Sequence, residues 1–303
     1  MRAVVLADDA TGALECGSIL ASMCIDVSLF RGEGVVVINT STRHVTPAEA
    51  AHYVADWVTF DGPLFKKTDS TLRGNIAPEL TALAARGRVI YIPAYPALGR
   101  TVVDGRLLVD GVPVNETAFA RDPHQPVRSS KIADLFDHPE AITICDAVTD
   151  DDIAAYAPLF ENAGVVAGPS GIVRHWAAQF DFPKRAHREL PKVRSWLIVC
   201  GSLHPRSREQ ADAARGWPVM RAEHSSDELA QRVAAANRPD AMLIMGGDTA
   251  AAVWRVLGIE SLDPLPEVLP GIAACTGGGT LFVTKAGGFG DVNLVEQVIA
   301  RFR

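Results

Sequence analysis

Met1-Arg2-Ala3-Val4-Val5-Leu6-Ala7-Asp8-Asp9-Ala10-Thr11-Gly12-Ala13 opens the chain, and Leu14, Ile19, Leu20 and Met23 continue it at helical spacing. A short apolar run that stops at two acids and gives way to a helical period predicts a buried strand, a polar loop and a helix. The run is too short for a signal-peptide core or a membrane span. Adjacent acids at the carboxyl end of a parallel strand lie where open α/β sheets place ligands. Asp8 or Asp9 can accept a hydroxyl proton or bind a hydrated magnesium ion, and at least one of them is expected to cap the helix.

The unit recurs. Val35 to Ile38 runs into Asn39-Thr40-Ser41-Thr42-Arg43-His44, and a helix is expected from Pro47 to about Phe60. Arg43 is a candidate anion ligand, whereas His44 is read as a loop histidine. Pro63 to Phe65 then delivers Lys66-Lys67-Thr68-Asp69-Ser70-Thr71-Leu72-Arg73-Gly74-Asn75, which packs three cations, one carboxylate and three hydroxyls into ten residues. That density suits a small polyhydroxylated anion: Arg grips a carboxylate with two N–H groups, Lys acts as a point charge and Asp accepts from hydroxyls. The plain alternative is a charged turn before a helix over 76–85, with Ser70 or Thr71 as its cap.

A fourth strand, Val89 to Pro93, is followed by Ala94 to Thr101, and two Asp-Gly turns at 104–105 and 110–111 then predict a β-hairpin excursion. Its return, Asn115 to Pro123, is rich in hydrogen-bonding groups and either covers a substrate, pairs with another subunit or forms a structural edge. Ala141 to Cys145 and Val165 to Ala167 read as further strands. Residues 180–194, with Pro183, Pro191 and many charges, read as a linker.

Beyond it one device appears three times. Trp196 to Cys200 leads into Gly201-Ser202-Leu203-His204, Ala241 to Met245 into Gly246-Gly247-Asp248-Thr249, and Thr280 to Thr284 into Lys285-Ala286-Gly287-Gly288-Phe289-Gly290-Asp291. Each reads as strand, small-residue turn and helix. Glycines admit a phosphate close to the backbone, and helix N-terminal N–H groups favour its charge. None has the full Walker A spacing, and none is the dinucleotide GxGxxG in its proper place.

The whole chain of 303 residues, 48% hydrophobic and 21% charged, is globular in composition and long enough for two domains. A net charge of −7 gives no basic field for nucleic acid, so an anionic ligand must be held by placed cations and backbone N–H groups. Five widely spaced cysteines without a CxxC pair argue against a disulfide framework or zinc site and fit a reduced cytoplasm. The expected fold is α/β with two domains, each a mainly parallel sheet flanked by helices, and a β-hairpin excursion in the first. The expected boundaries are 1–185 and 192–303.

Ala7 to Ala13, Lys66 to Asn75, Pro93-Ala94-Tyr95-Pro96 with Gly99-Arg100-Thr101, Glu116 to Pro123, Gly246 to Ala250 and Lys285 to Gly290 resemble, in order, the motifs of the four-carbon acid sugar kinases. This family was long described as a domain of unknown function. The resemblance implies an N-terminal sugar-acid domain, a C-terminal ATP domain and a cleft between them. It further implies ATP-dependent 4-phosphorylation of threonate, erythronate or a 3-oxo-tetronate. On the matching positions it places Asp8, Asp9, Arg43, Lys67, Asp69, Ser70 and Arg73 around the sugar acid, and Ser202, Gly246, Gly247, Asp248, Thr249, Gly287 and Gly288 around ATP. The chain is shorter than the usual member, mainly between Gly201 and Gly246 and in the linker, and Ala286 stands where serine is common.

The residues support the same chemistry independently. Phosphoryl transfer needs positioning, charge neutralisation and a group that orients the attacking hydroxyl. Arg73 and Lys67 suit the substrate carboxylate or the transferring phosphoryl, Asp9 or Asp69 the acceptor hydroxyl, and the glycine turns with Lys285 the nucleotide phosphates. Magnesium is expected to ride on ATP and water, without a dedicated protein site. The expected partners are a small sugar acid and ATP, with no nucleic acid and no membrane, and the hairpin leaves room for a homo-oligomer. A hydroxyacid dehydrogenase would need a dinucleotide fingerprint where Ala7-Asp8-Asp9 stands. A non-catalytic sugar-acid or nucleotide sensor is the main alternative.

Overall fold

The strand–loop–helix units assemble into two sheets in this computed structural model, which describes residues 2–29, 34–122, 124–286 and 288–303. The chain runs through β1 (Ala3–Ala7), β2 (Val27–Leu29), β3 (Val35–Asn39), β4 (Leu64–Lys67) and β5 (Val89–Tyr91). It makes an antiparallel meander of β6 (Arg100–Val103), β7 (Arg106–Val109) and β8 (Val112–Pro113), then returns for β9 (Ile142–Ile144) and β10 (Val165–Gly168). The first sheet has the order β2-β3-β1-β4-β10-β5-β9, with every pair parallel. Its helices are α1 (Ala10–Ser22), α2 (Pro47–Ala55), α3 (Ile76–Leu83), α4 (Asp150–Ala154), α5 (Ala157–Phe160) and α6 (Ile172–Ala177).

The second sheet contains β11 (Trp196–Cys200), β12 (Val219–Arg221), β13 (Ala241–Met245), β14 (Asp263–Leu269), β15 (Ile272–Gly277) and β16 (Thr280–Lys285), with α7 (Pro205–Ala213), α8 (Ser226–Ala235), α9 (Gly247–Val256) and α10 (Leu294–Ala300). Its order is β12-β11-β13-β16-β15-β14, and the last two strands are antiparallel. The α/β architecture with two mainly parallel sheets is thus the expected one. The expected hairpin is a three-stranded meander. Its two Asp-Gly turns have φ of 50° and 68° at Asp104-Gly105 and of 51° and 80° at Asp110-Gly111. Positive φ at both central residues is what a two-residue hairpin turn demands.

Several elements depart from the sequence reading. The strands β2, β12, β14 and β15 are additional; each is short or mixed in polarity, so its pattern is weak. The helix after Pro47 ends at Ala55. Asn75, not Ser70 or Thr71, heads α3, and its side-chain amide holds the Thr42 and Val45 carbonyls at 2.8 and 2.9 Å. Among the described residues, no helix follows β16 until Leu294. Among the described residues, no helix is long and apolar enough to cross a membrane.

α1 joins the halves. Twelve of its thirteen residues are buried, the pattern of a helix covered on all sides. It lies against the first sheet and also against β14 and β15 of the second. Small residues permit this: a Cβ at Gly17 would stand 3.0 Å from Leu29 and 3.1 Å from Pro264. Ser18 completes the junction, its hydroxyl donating to the Ala274 carbonyl at 3.0 Å and accepting from the Ala274 N–H at 3.1 Å.

Candidate active site

Strand register brings the polar loops together. Ala7 pairs with Asn39 on one side and Lys67 on the other, so β1, β3 and β4 end at one level. The order of the sheet makes β1 the point where successive connections diverge, the position at which parallel sheets open a crevice. Across from it, Cys200, Met245 and Lys285 are level in the second sheet, so the turns after β11, β13 and β16 also leave one edge. The two edges enclose a cavity of about 650 Å³.

On the first edge the sequence-predicted residues bind one another. Arg43 donates from Nε to Asp8 Oδ2 at 2.8 Å and from Nη1 to Asp9 Oδ2 at 3.0 Å, and lies 3.6 Å from Asp69. The Lys67 ammonium sits 3.0 Å from Asp9 and 3.4 Å from Asp8. Gly12 makes room for it, since a Cβ there would come within 2.1 Å of Lys67 Nζ. Arg73 bonds Asp69 through Nη2 at 2.9 Å and Asp122 through Nη1 at 2.9 Å, with Phe119 under its guanidinium at 5.1 Å. Asp69 also accepts from the Thr71 N–H and hydroxyl. Thus Thr71 braces Asp69 instead of capping a helix.

The electrostatics follow. Burial by itself would raise the Asp8 carboxyl, but Arg43 and then Lys67 reverse that and hold it far below the usual carboxylate range. Asp69 is likewise held well below the ordinary range: burial opposes ionisation, and Arg73 and Arg43 overcome it. For Lys67, burial opposes the charge and Asp9 and Asp8 restore it, so its ammonium is held more tightly than usual. Asp9 also caps α1, accepting from the Gly12 N–H at 3.0 Å. Ser70 lines the cavity, whereas Lys66 turns into the core and pairs with Glu79 at 3.0 Å.

On the second edge, Ser202, Gly246, Gly247, Asp248, Thr249 and Gly288 line the cavity. The turn before α9 touches the first edge. A Cβ at Gly247 would stand 2.7 Å from Thr11 Oγ1 and 3.1 Å from Asp9 Oδ2, and Asp248 lies 3.9 Å from His44. Thr249 is buried, its hydroxyl 3.1 Å from that of Ser226. Lys285 is not among the lining residues: its ammonium donates to Gln210 Oε1 at 2.6 Å and Ser207 Oγ at 3.1 Å, and burial lowers it to about 7. Gly287 lies outside the described residues.

Sequence reasoning missed several lining residues. Asp122 and Phe119 belong to the return of the meander, and Phe119 spans the cavity from Arg73 to His204, 6.1 Å between ring centres. Glu15 and Ser170 meet at 2.7 Å on the cavity wall. A lone acid in an otherwise apolar and small-residue helix was the signal for Glu15; nothing local marked Ser170.

Residues 3–139 match the family described as a sugar-binding N-terminal domain, and residues 219–295 the one described as a nucleotide-binding C-terminal domain. The chain is 37% identical to D-threonate kinase from Salmonella typhimurium over 71% of its own length and 61% of the relative's. It is 29% identical to D-erythronate kinase from Heliobacterium modesticaldum over 69% of its length and 59% of the relative's. It therefore spans about three-fifths of these relatives. A solved Salmonella typhimurium LT2 structure described as a tRNA synthase superposes with a TM-score of 0.76 at 20% identity, covering 100% of both chains, and so shares the fold. With both halves matched and the ordered motifs assembled around one cavity, the chain belongs to the four-carbon acid sugar kinase family.

Proposed function

We propose that this chain transfers the γ-phosphoryl group of ATP to the 4-hydroxyl of a four-carbon sugar acid of the threonate, erythronate or 3-oxo-tetronate class. The observation that carries the reading is the meeting of the acid–base cluster of the first sheet with the glycine turn of α9, at Asp9, Thr11 and Gly247. Kinase relatives over the matched region support it.

The residues present fit a nucleotide polyphosphate. Gly246, at φ 117°, donates its own N–H to the Lys285 carbonyl at 3.1 Å and turns the chain into a ten-residue helix, at whose head Gly247 has no side chain to close the gap. Ser202 and Thr249 stand beside that turn, and Gly288 lines the same cavity next to His204 and Phe119. Lys285 serves this site from behind, through Gln210, whose amide holds the Phe289 and Asp291 carbonyls at 2.9 and 2.7 Å. Magnesium would travel with the phosphates and water, Asp248 being the nearest acid of the turn.

The sugar acid would enter at Arg73, at 25% the most exposed of the three cations of the cluster, its carboxylate taking the place Asp122 now holds. Arg43 and Lys67 fix Asp8 and Asp9. Both oxygens of each candidate for orienting the acceptor hydroxyl are hydrogen-bonded, but Asp9 meets the phosphate turn, whereas Asp69 faces Arg73 and Thr71. The reading assigns the hydroxyl to Asp9 and the placement of Arg73 to Asp69.

ATP consumption across a panel of four-carbon sugar acids tests the proposal. Turnover with at least one acid is expected, and Asp9→Asn should lower kcat about 100- to 10,000-fold. Binding without turnover over the whole panel would replace the kinase reading with that of a sensor.

A further inference from the structure

Among the described residues, Glu15 is the buried cavity acid with no Arg or Lys at ion-pair distance. Its side chain is 6% exposed. One oxygen accepts from the Ser170 hydroxyl at 2.7 Å, and the other makes no hydrogen bond among the described residues. Asp9, Asp69 and Asp122, which line the same cavity, are each bound to an Arg or Lys, as is the neighbouring Asp8. An acid left this way in a protein interior is costly, and its free oxygen calls for a water, an ion or a ligand donor from the cavity. A second observation points the same way: the Thr11 hydroxyl, one helical turn earlier on α1, is buried without a partner and also lines the cavity.

Resting on the sugar-acid reading above, we propose that Glu15, held by Ser170, is the specificity-determining residue that accepts a secondary hydroxyl of the acceptor and fixes which end of the molecule faces inward. The chemistry is directional. A carboxylate beside Glu15 is repelled, whereas a hydroxyl donates to it, so the substrate carboxylate is driven to Arg73 and the polyol end lies along α1. Ser170 spends its donor on one Glu15 oxygen and leaves the other for the ligand. Lys67 from β4, Asp9 at the head of α1 and Glu267 from β14 are the charged groups acting on Glu15. Burial dominates over them and raises its carboxyl to about 7. Near neutrality Glu15 can therefore also donate.

The test compares kcat/KM for threonate with that for 3,4-dihydroxybutanoate and 2,4-dihydroxybutanoate, each lacking one secondary hydroxyl and retaining the carboxylate and 4-hydroxyl. The unmodified protein should disfavour at least one deoxy acid by about 10- to 100-fold, as sites built to bond a hydroxyl do. In Glu15→Gln that gap should shrink and in Glu15→Ala fall to within about threefold, with Ser170→Ala in between. A gap that survives in all three variants, or an equal loss for all three acids, overturns the proposal. Thermal melts identify any variant that fails to fold, and Ser170→Ala then carries the test. If no acid is turned over by the unmodified protein, the kinase reading has failed, and the same ratios are taken from dissociation constants by calorimetry.

Discussion

Asp8 carries Arg43 and Lys67 on one buried carboxylate, and the cost of removing it follows from the charges left behind. Asp8→Asn should destabilise the fold by about 1–3 kcal/mol in urea at pH 7, because two buried cations lose one of the two aspartates they share, with Asp9 remaining. The direction of its shift fixes the pH window. Asp8 and Asp69 titrate below the ordinary aspartate value of 3.8, so their contribution is present above it and is lost only as the solution becomes more acidic. Glu15 has the opposite sign. Its carboxyl rises from 4.5 to about 7, so the unfolded chain releases that proton first. Stability from this group is complete below 4.5 and falls as pH rises to 7, by up to about 1.4 kcal/mol per pH unit. Glu15→Gln should flatten the urea midpoint between those limits; an unchanged slope would mean that Glu15 is ionised in the fold.

Among the elements, α1 and α9 matter most because each belongs to both halves of the cavity. Ser18→Ala removes two hydrogen bonds and leaves the Ala274 N–H and carbonyl buried without their partner. A loss of about 1–3 kcal/mol is expected by chemical denaturation, with little change in KM, since Ser18 is remote from the lining. Gly247→Ala acts at the other end of the junction. Its methyl would push α9 away from Thr11 and Asp9, and a displacement on the scale of 1 Å should cost about 100-fold in kcat/KM. Wild-type kinetics in that variant would show that the two edges need not meet for transfer.

At the scale of the molecule, one continuous apolar core runs from Val5 and Leu14 through to Val199, Val253 and Phe282, so the sheets share their interior. Heating should then produce a single cooperative transition, with far-UV circular dichroism and tryptophan fluorescence coinciding. Trp176 lies behind the first sheet and Trp196 in the second, so fluorescence reports on both. Two separate transitions would show that α1 does not couple the halves. The return of the meander, held over the cavity by Asp122 on Arg73, is easier to displace than a helix buried on all sides.

Val4 to Ala7 followed by Asp8-Asp9, and the later glycine turns, were enough to determine the α/β class and to mark the acidic loop and the glycine turns that reach the cavity wall. Each is a local pattern, set by the period of burial and by the residues a strand-to-helix turn accepts. Their pairing was not local. Arg43, Lys67 and Arg73 read in sequence as open anion ligands, yet tertiary structure binds Arg43 and Lys67 to aspartates distant in the chain and adds the distant Asp122 to Arg73's local partner Asp69, because a buried cation must find a counter-charge wherever the fold supplies one. The same holds for Lys285, drawn inward onto Gln210, and for Ser170, which reaches Glu15 from 155 positions away. Which polar groups face a ligand and which only hold one another depends on strand order and register, and these are fixed by the packing of the two sheets on α1.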